Sequence, residues 1–145
     1  MAKELDPFVK KLVDAYNGQD LKAFDTLLAE DCVLVRDEEK AHGREEIKKV
    51  LTHIRNAFPD MQYRIEDAVR AGDRLVLRWE AKGTHRGGDY LGIKASGKPA
   101  SYIGITMYEL DGDMVKKIFV AADLLSLLRR IRGVDKITEP PRAQA

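Results

Sequence analysis

The 145-residue chain is poor in the residues that carry the most recognisable chemistry. It has one cysteine, Cys32, inside the apolar run "CVLV". A lone cysteine excludes an internal disulfide, and this setting reads as a small buried hydrophobe. There are three histidines, and no cluster of His, Cys, Asp and Glu has metal-ligand spacing. The net charge is only +1, so no basic field argues for nucleic acid or an acidic membrane surface. No apolar run approaches the ~20 residues needed to cross a bilayer. The start, "MAKELDPF", lacks the apolar core of a signal peptide, so a soluble cytoplasmic protein is expected. There is no phosphate loop, no GxSxG, no CxxC and no internal repeat.

What the chain does have is an ordinary globular composition, 44% apolar and 34% charged, in a length that fits one domain. The pattern changes along it. "DPFVKKLVDAYNG" predicts a helix with Asp6 as N-cap, Pro7 at its first position and Asn17-Gly18 as its stop. Asp20 can cap a second short helix that turns Leu21, Phe24, Leu27 and Leu28 inward. Cys32 to Val35 predicts a short strand. A third helix is expected from about Arg44 to Phe58, with Ile47, Val50, Leu51 and Ile54 at helical spacing and Pro59 closing it.

The period then becomes two. "MQYRIEDAVR" sets Met61, Tyr63, Ile65 and Val69 on one face, and "RLVLRWEAKG" sets Leu75, Leu77, Trp79 and Ala81 on one face. "ASYIGITMYEL" is apolar on both sides, "DGD" signals a hairpin, and "MVKKIFVAAD" and "LLSLLRRIR" follow as strand and helix. "RRIR" suits the end of a helix dipole. Helices followed by a long sheet predict an α+β domain over residues 1–133: a curved antiparallel sheet, with three N-terminal helices enclosing a pocket in a cone. The tail over residues 134–145 is expected to be mobile.

The stretches "HGREEI", "FPDMQYRIED", "AGDRLVLRWEAKGTH", "LGIKASGK" and "ELDGDMVKKI...DLLSLLRRI", in this order, resemble the SnoaL-like polyketide cyclases of the nuclear-transport-factor-two-like cone-fold superfamily. The resemblance covers roughly Asp6 to Gly133. It implies acid–base chemistry with no metal or organic cofactor, in which an aspartate at the end of the last strand moves a proton on a ring-forming carbonyl substrate. The matching position is Asp123. Phe119 stands where the family carries tryptophan, Lys117-Ile118 where it is often acidic, and Ala121-Ala122 where an aromatic is common. The alternative is a cone-fold protein, natural or redesigned, that binds a small molecule without turnover.

Each candidate has a plain structural counterpart. If the last strand is regular, Phe119, Ala121 and Asp123 share a face, where desolvation would raise the pKa of Asp123 and suit it to proton transfer. An aspartate before "LLSLL" is equally suited to cap that helix. His85 shares the parity of Trp79 and Ala81 and could reach a substrate oxygen; the bland reading is a half-exposed strand-end histidine bonded to its loop. Asp67, on the parity of Tyr63 and Ile65, is a second-rank base, and Asp60 reads as a turn or cap group. His42 and His53 complete the histidines, and His53, on the flank of the third helix beside its apolar stripe, reads as a surface residue. Tyr63, Trp79, Tyr102 and Phe119, with Ala121 making room, could line a site for a small hydrophobic or aromatic ligand; an aromatic set at this spacing is also ordinary core. "SYIGITMYEL" carries Tyr102, Thr106 and Tyr108 on one face and Ile103, Ile105 and Met107 on the other; one face lines the cone and the other needs a cover, which predicts a homodimer.

Overall fold

The computed structural model describes residues 5–18 and 20–133. The chain runs α1 (Pro7–Asn17), a 3-10 turn (Leu21–Ala23), α2 (Phe24–Leu27), β1 (Leu28–Arg36), β2 (Glu39–His42), α3 (Arg44–Ala57), β3 (Gln62–Ala71), β4 (Arg74–Thr84), β5 (Pro99–Asp111), β6 (Met114–Ala122) and α4 (Leu124–Arg132). The expected tail over residues 134–145 lies outside the described residues.

Local chemistry sets the helix ends. The Asp6 carboxylate accepts from the Phe8 backbone N–H at 2.8 Å, and Pro7 occupies the first turn, where its missing N–H costs nothing. Asp20 accepts from the Lys22 N–H at 2.9 Å and starts the 3-10 turn. The second helix is shorter than its apolar spacing suggests, because Leu28 already belongs to β1. α4 ends at Gly133, which adopts φ 72°, a left-handed conformation that costs glycine little.

The six strands form one curved, unclosed sheet in the order β2-β1-β6-β5-β4-β3. The α+β cone is as expected, with one departure in topology. β1 lies parallel to β6, while every other neighbouring pair is antiparallel. The β1–β2 hairpin comes between the helices and joins the sheet beside the last strand, and the long chain between β1 and β6 permits their parallel pairing. The short edge strand β2 was not apparent in the charged segment "EKAH".

The helices α1, α2 and α3 cover the concave face of the sheet. Phe8, Val9 and Leu12 of α1, Phe24 and Leu27 of α2 and Ile47 of α3 are buried against Leu75, Leu77, Val115 and Ile118 of the strands. At about 25 cal/mol per Å² of apolar surface removed from water, this shared core is the main force holding helices to sheet.

The glycine-rich stretch after β4 packs onto the end of α3. The Gly87 N–H donates to the Ala57 carbonyl at 3.2 Å and the Gly88 N–H to the Asn56 carbonyl at 2.9 Å. Those are carbonyls that the end of a helix leaves without partners. A Cβ at Gly87 would sit 1.6 Å from the Asn56 carbonyl oxygen, so only glycine allows this approach. The loop thereby closes one end of the cone and carries the buried Tyr90 inside.

Candidate functional site

Between the helices and the concave sheet face lies a cavity of about 80 Å³. Val13 and Tyr16 come from α1, and Val50, Leu51 and Ile54 from α3. The sheet contributes Leu34, Tyr63, Leu77, Trp79 and Tyr102, among others, and Leu124 of α4 completes the lining. Inward pointing follows strand parity. Cys32, Leu34 and Arg36 share the inner side of β1; Leu75, Leu77, Trp79 and Ala81 that of β4; Tyr102, Thr106 and Tyr108 that of β5.

The polar atoms of the cavity are mostly phenols, and they are ordered in pairs. The Tyr108 hydroxyl donates to the Tyr16 hydroxyl at 3.1 Å. The Tyr102 and Tyr63 hydroxyls also face each other, with Tyr63 on the accepting side. Burial pushes the Tyr16 and Tyr63 phenols up to about 12, even though the hydrogen bond each accepts pulls the other way. Burial also raises Tyr102 and Tyr108 well above the usual tyrosine range. All four therefore stay protonated near neutrality. The Trp79 indole N–H donates to the Thr106 hydroxyl at 2.9 Å and is satisfied within the wall. Trp79 lies flat against the missing side chain of Gly104, where a Cβ would come within 2.3 Å of the indole ring.

Of the residues expected at the site, Tyr63, Trp79 and Tyr102 line this cavity together, with ring centroids 5.5 Å and 5.4 Å apart along the row. Phe119, Ala121 and Asp123 share a face as parity implied, but it is the outer one. Phe119 pairs with Met107 and Ala121 with Ile105, whose side chains point away from the helices. The inner positions of β6 are Ile118, Val120 and Ala122, opposite Tyr108, Thr106 and Gly104. Phe119 instead carries the Lys117 ammonium 4.8 Å above its ring. Ala121 and Asp123 belong to a groove on the outer sheet face, with Ile103, Ile105 and Glu66; that groove shares only Trp79 and Ala122 with the cavity.

Asp123 is the N-cap of α4. Its carboxylate accepts from the Ser126 hydroxyl at 2.7 Å and the Ser126 backbone N–H at 3.0 Å. These bonds hold its pKa below the usual carboxylate value. The expected rise is reversed because the group is solvent-exposed and bonded in its charged form.

His85 points inward, as its parity suggested, yet it does not reach the cavity. It is fully buried beyond it, stacked on Phe58 with centroids 5.2 Å apart. Its Nε2 is 3.0 Å from the Gly88 carbonyl oxygen and its Nδ1 is 3.5 Å from the Ser96 hydroxyl. It ties the glycine-rich loop to the end of α3. Asp67 is also displaced. A bulge between Ile65 and Asp67 inverts the parity of β3, so Val69 and Asp67 face outward while Ala68 and Arg70 oppose the inward Leu77 and Leu75. Asp60 is the turn group it was read as: its carboxylate accepts from the Thr84 N–H at 2.7 Å and the Thr84 hydroxyl at 2.9 Å. His42 is exposed on β2, and the exposed His53 leans on Tyr90 at 5.6 Å.

Tyr16, Arg36, Thr106, Tyr108 and Ala122 line the cavity as well, beyond the residues that the sequence pattern marks for it. Arg36 could have been found, since it continues the inward alternation of Cys32 and Leu34. Tyr16 sits on the apolar face of α1, where nothing in the spacing separates a cavity wall from plain core. Among the described residues no three His, Cys, Asp or Glu side chains gather into a group that could hold a metal. No helix among them is long and apolar enough to cross a membrane.

This architecture is that of the ketosteroid isomerase-like fold. A protein of that fold from Catenulispora acidiphila, solved in complex with trimethylamine, superposes with a TM-score of 0.76 at 22% identity, covering 91% of this chain and 96% of that one. AclR from Streptomyces galilaeus, described as a proposed hydroxylase, gives 0.79 at 20% identity, over 91% of this chain and 83% of its own. IdmH from Streptomyces antibioticus, a proposed polyketide cyclase, gives 0.75 at 25% identity, over 88% and 96%. No curated protein matches the sequence. The model of the SnoaL-like polyketide cyclase family matches residues 8–131, nearly the whole described chain, and the chain belongs to that family.

Proposed function

We propose that the cavity takes a small, largely apolar ring compound and holds its carbonyl oxygen on the hydroxyls of Tyr16 and Tyr63. The observation that carries this reading is the pair of phenol relays. Tyr108 donates to Tyr16 at 3.1 Å, and the Tyr102 hydroxyl faces that of Tyr63 in the same sense, so Tyr16 and Tyr63 each keep a proton to give. A donor that itself accepts a hydrogen bond is polarised and gives a stronger one. Preorganised donors of this kind stabilise the negative charge that grows on a carbonyl oxygen when an enolate forms, the step shared by aldol cyclisation and ketone isomerisation. The reading supports a cyclase- or isomerase-type role with carbonyl activation assigned to the tyrosines.

A second reading, binding without turnover, has its own support. No carboxylate or imidazole is among the described residues lining the cavity, and Asp123 is committed to Ser126 on the other face. Proton abstraction needs a base within hydrogen-bond reach. The two readings separate in one experiment with acetophenone. Its affinity should fall roughly 2–10-fold in each of Tyr16→Phe and Tyr63→Phe, the worth of one neutral hydrogen bond. Deuterium exchange at its methyl carbon, accelerated by the native chain and slowed by either variant, supports catalysis. Binding without accelerated exchange supports the binder. Unchanged affinity in both variants overturns the carbonyl assignment.

The outer sheet face supports a homodimer. Ile103 and Ile105 are 57% and 49% exposed, beside the half-buried Met107 and Phe119. A second copy is the partner best matched to such a face. Sedimentation at micromolar concentration should give twice the chain mass, and Ile105→Lys should restore the single mass. A native chain that sediments as a monomer overturns the dimer.

A further inference from the structure

The cavity holds one charged side chain among its described lining residues, the guanidinium of Arg36. Arg36 ends β1 on the inner parity, and its side chain is only 16% exposed. Its compensation is thin. Nη2 donates to the Glu39 carboxylate at 3.2 Å, but that side chain is 77% exposed, so water weakens the pair. Nη1 donates to the Tyr90 hydroxyl at 3.4 Å, a long bond to a neutral group. A guanidinium has five N–H donors in a rigid fork, and each Nη carries a second one.

The surroundings hold that fork in place. Tyr90 is 2% exposed and packs edge-on against Phe58, with centroids 5.3 Å apart. The charge of Arg36 is also felt at the Tyr102 hydroxyl, which backs Tyr63. A cation so far removed from water, with so little opposing charge, is costly to keep unless something anionic joins it. The planar group that best fits the fork is a carboxylate.

We propose that the compound bound in this cavity carries a carboxylate, which Arg36 pairs with while the tyrosines hold the ring's other oxygen. The inference rests on the reading of the cavity as the ligand site. The cavity's small volume limits the compound to about one ring, so benzoate and its neutral isostere benzamide are the probes.

The test compares the two by calorimetry on the full chain. Benzoate should bind roughly 10–100-fold more tightly than benzamide, the range expected of a charge-assisted hydrogen bond. Arg36→Met should erase that preference, bringing the affinities for benzoate and benzamide to within about threefold of each other. A purely structural Arg36 would leave that ratio unchanged. Should Arg36→Met fail to fold, a pH series on the native chain serves. Benzoate affinity should then fall as benzoate itself protonates, while benzamide affinity stays level. Benzamide binding with no benzoate preference overturns the carboxylate assignment and leaves the cavity reading standing. A preference that survives Arg36→Met, or that ignores the benzoate titration, also overturns the assignment. Failure of both probes to bind overturns the assignment together with the cavity reading.

Discussion

The Asp123 carboxylate binds Ser126 twice, accepting from its hydroxyl at 2.7 Å and from its backbone N–H at 3.0 Å. A carboxylate so engaged starts α4. Asp123→Asn should therefore leave stability nearly unchanged, because asparagine caps about as well, and Asp123→Ala should cost about 0.5–2 kcal/mol. Neither should alter affinity for a ligand in the inner cavity. Thermal melts and ligand titration of both variants check this, and a large loss of affinity in a well-folded Asp123→Asn would return the residue to the site.

Acid should destabilise the fold through Asp60 and Asp123. Hydrogen bonds from the Thr84 backbone lower the pKa of Asp60, and those from Ser126 lower that of Asp123. A folded-state pKa below the unfolded value means that the unfolded chain takes up the proton first. The stabilisation is present above the ordinary carboxylate value of about 3.9 and is lost as pH falls through the lower folded value. The melting temperature of Asp60→Asn should start lower than the native one at neutral pH and fall less steeply below pH ~4.

His85→Ala should destabilise without touching the site. It removes a fully buried ring that stacks on Phe58 and meets the Gly88 carbonyl. The expected cost is about 1–3 kcal/mol. Denaturant unfolding should show the loss, while acetophenone affinity under native conditions stays within about twofold. A folded variant that no longer binds would mean that the loop positions Tyr90 and Arg36 through His85.

Adjacent alanines should behave oppositely. Ala122 lines the inner cavity, whereas Ala121 faces the outer groove. Ala122→Leu should occupy the ligand's space and abolish the rise in melting temperature on ligand addition, at an overpacking cost of about 1–3 kcal/mol. Ala121→Leu should leave the rise intact. A thermal-shift titration of the two variants side by side decides it.

By itself, the sequence determined most element types and the fold class, but neither the edge strand β2 nor the parallel pairing of β1 with β6. Pro7, Asp20, Pro59 and the "DGD" hairpin mark boundaries through backbone chemistry that acts within a few residues, so they are legible in one dimension. The period-two runs likewise showed which residues share a face: Tyr102 with Thr106 and Tyr108, and Phe119 with Ala121 and Asp123. Tertiary structure alone decided which of those faces looks into the cone. Alternation is symmetric between the two sides of a sheet, and one bulge reverses it, as between Ile65 and Asp67 in β3. The pairing of Ile118, Val120 and Ala122 with Tyr108, Thr106 and Gly104 turned Asp123 outward and left the inner surface to tyrosines and Arg36. Those residues come from α1, β1, β3 and β5, far apart along the chain. Their meeting depends on how the sheet curves around its core, which no local spacing encodes.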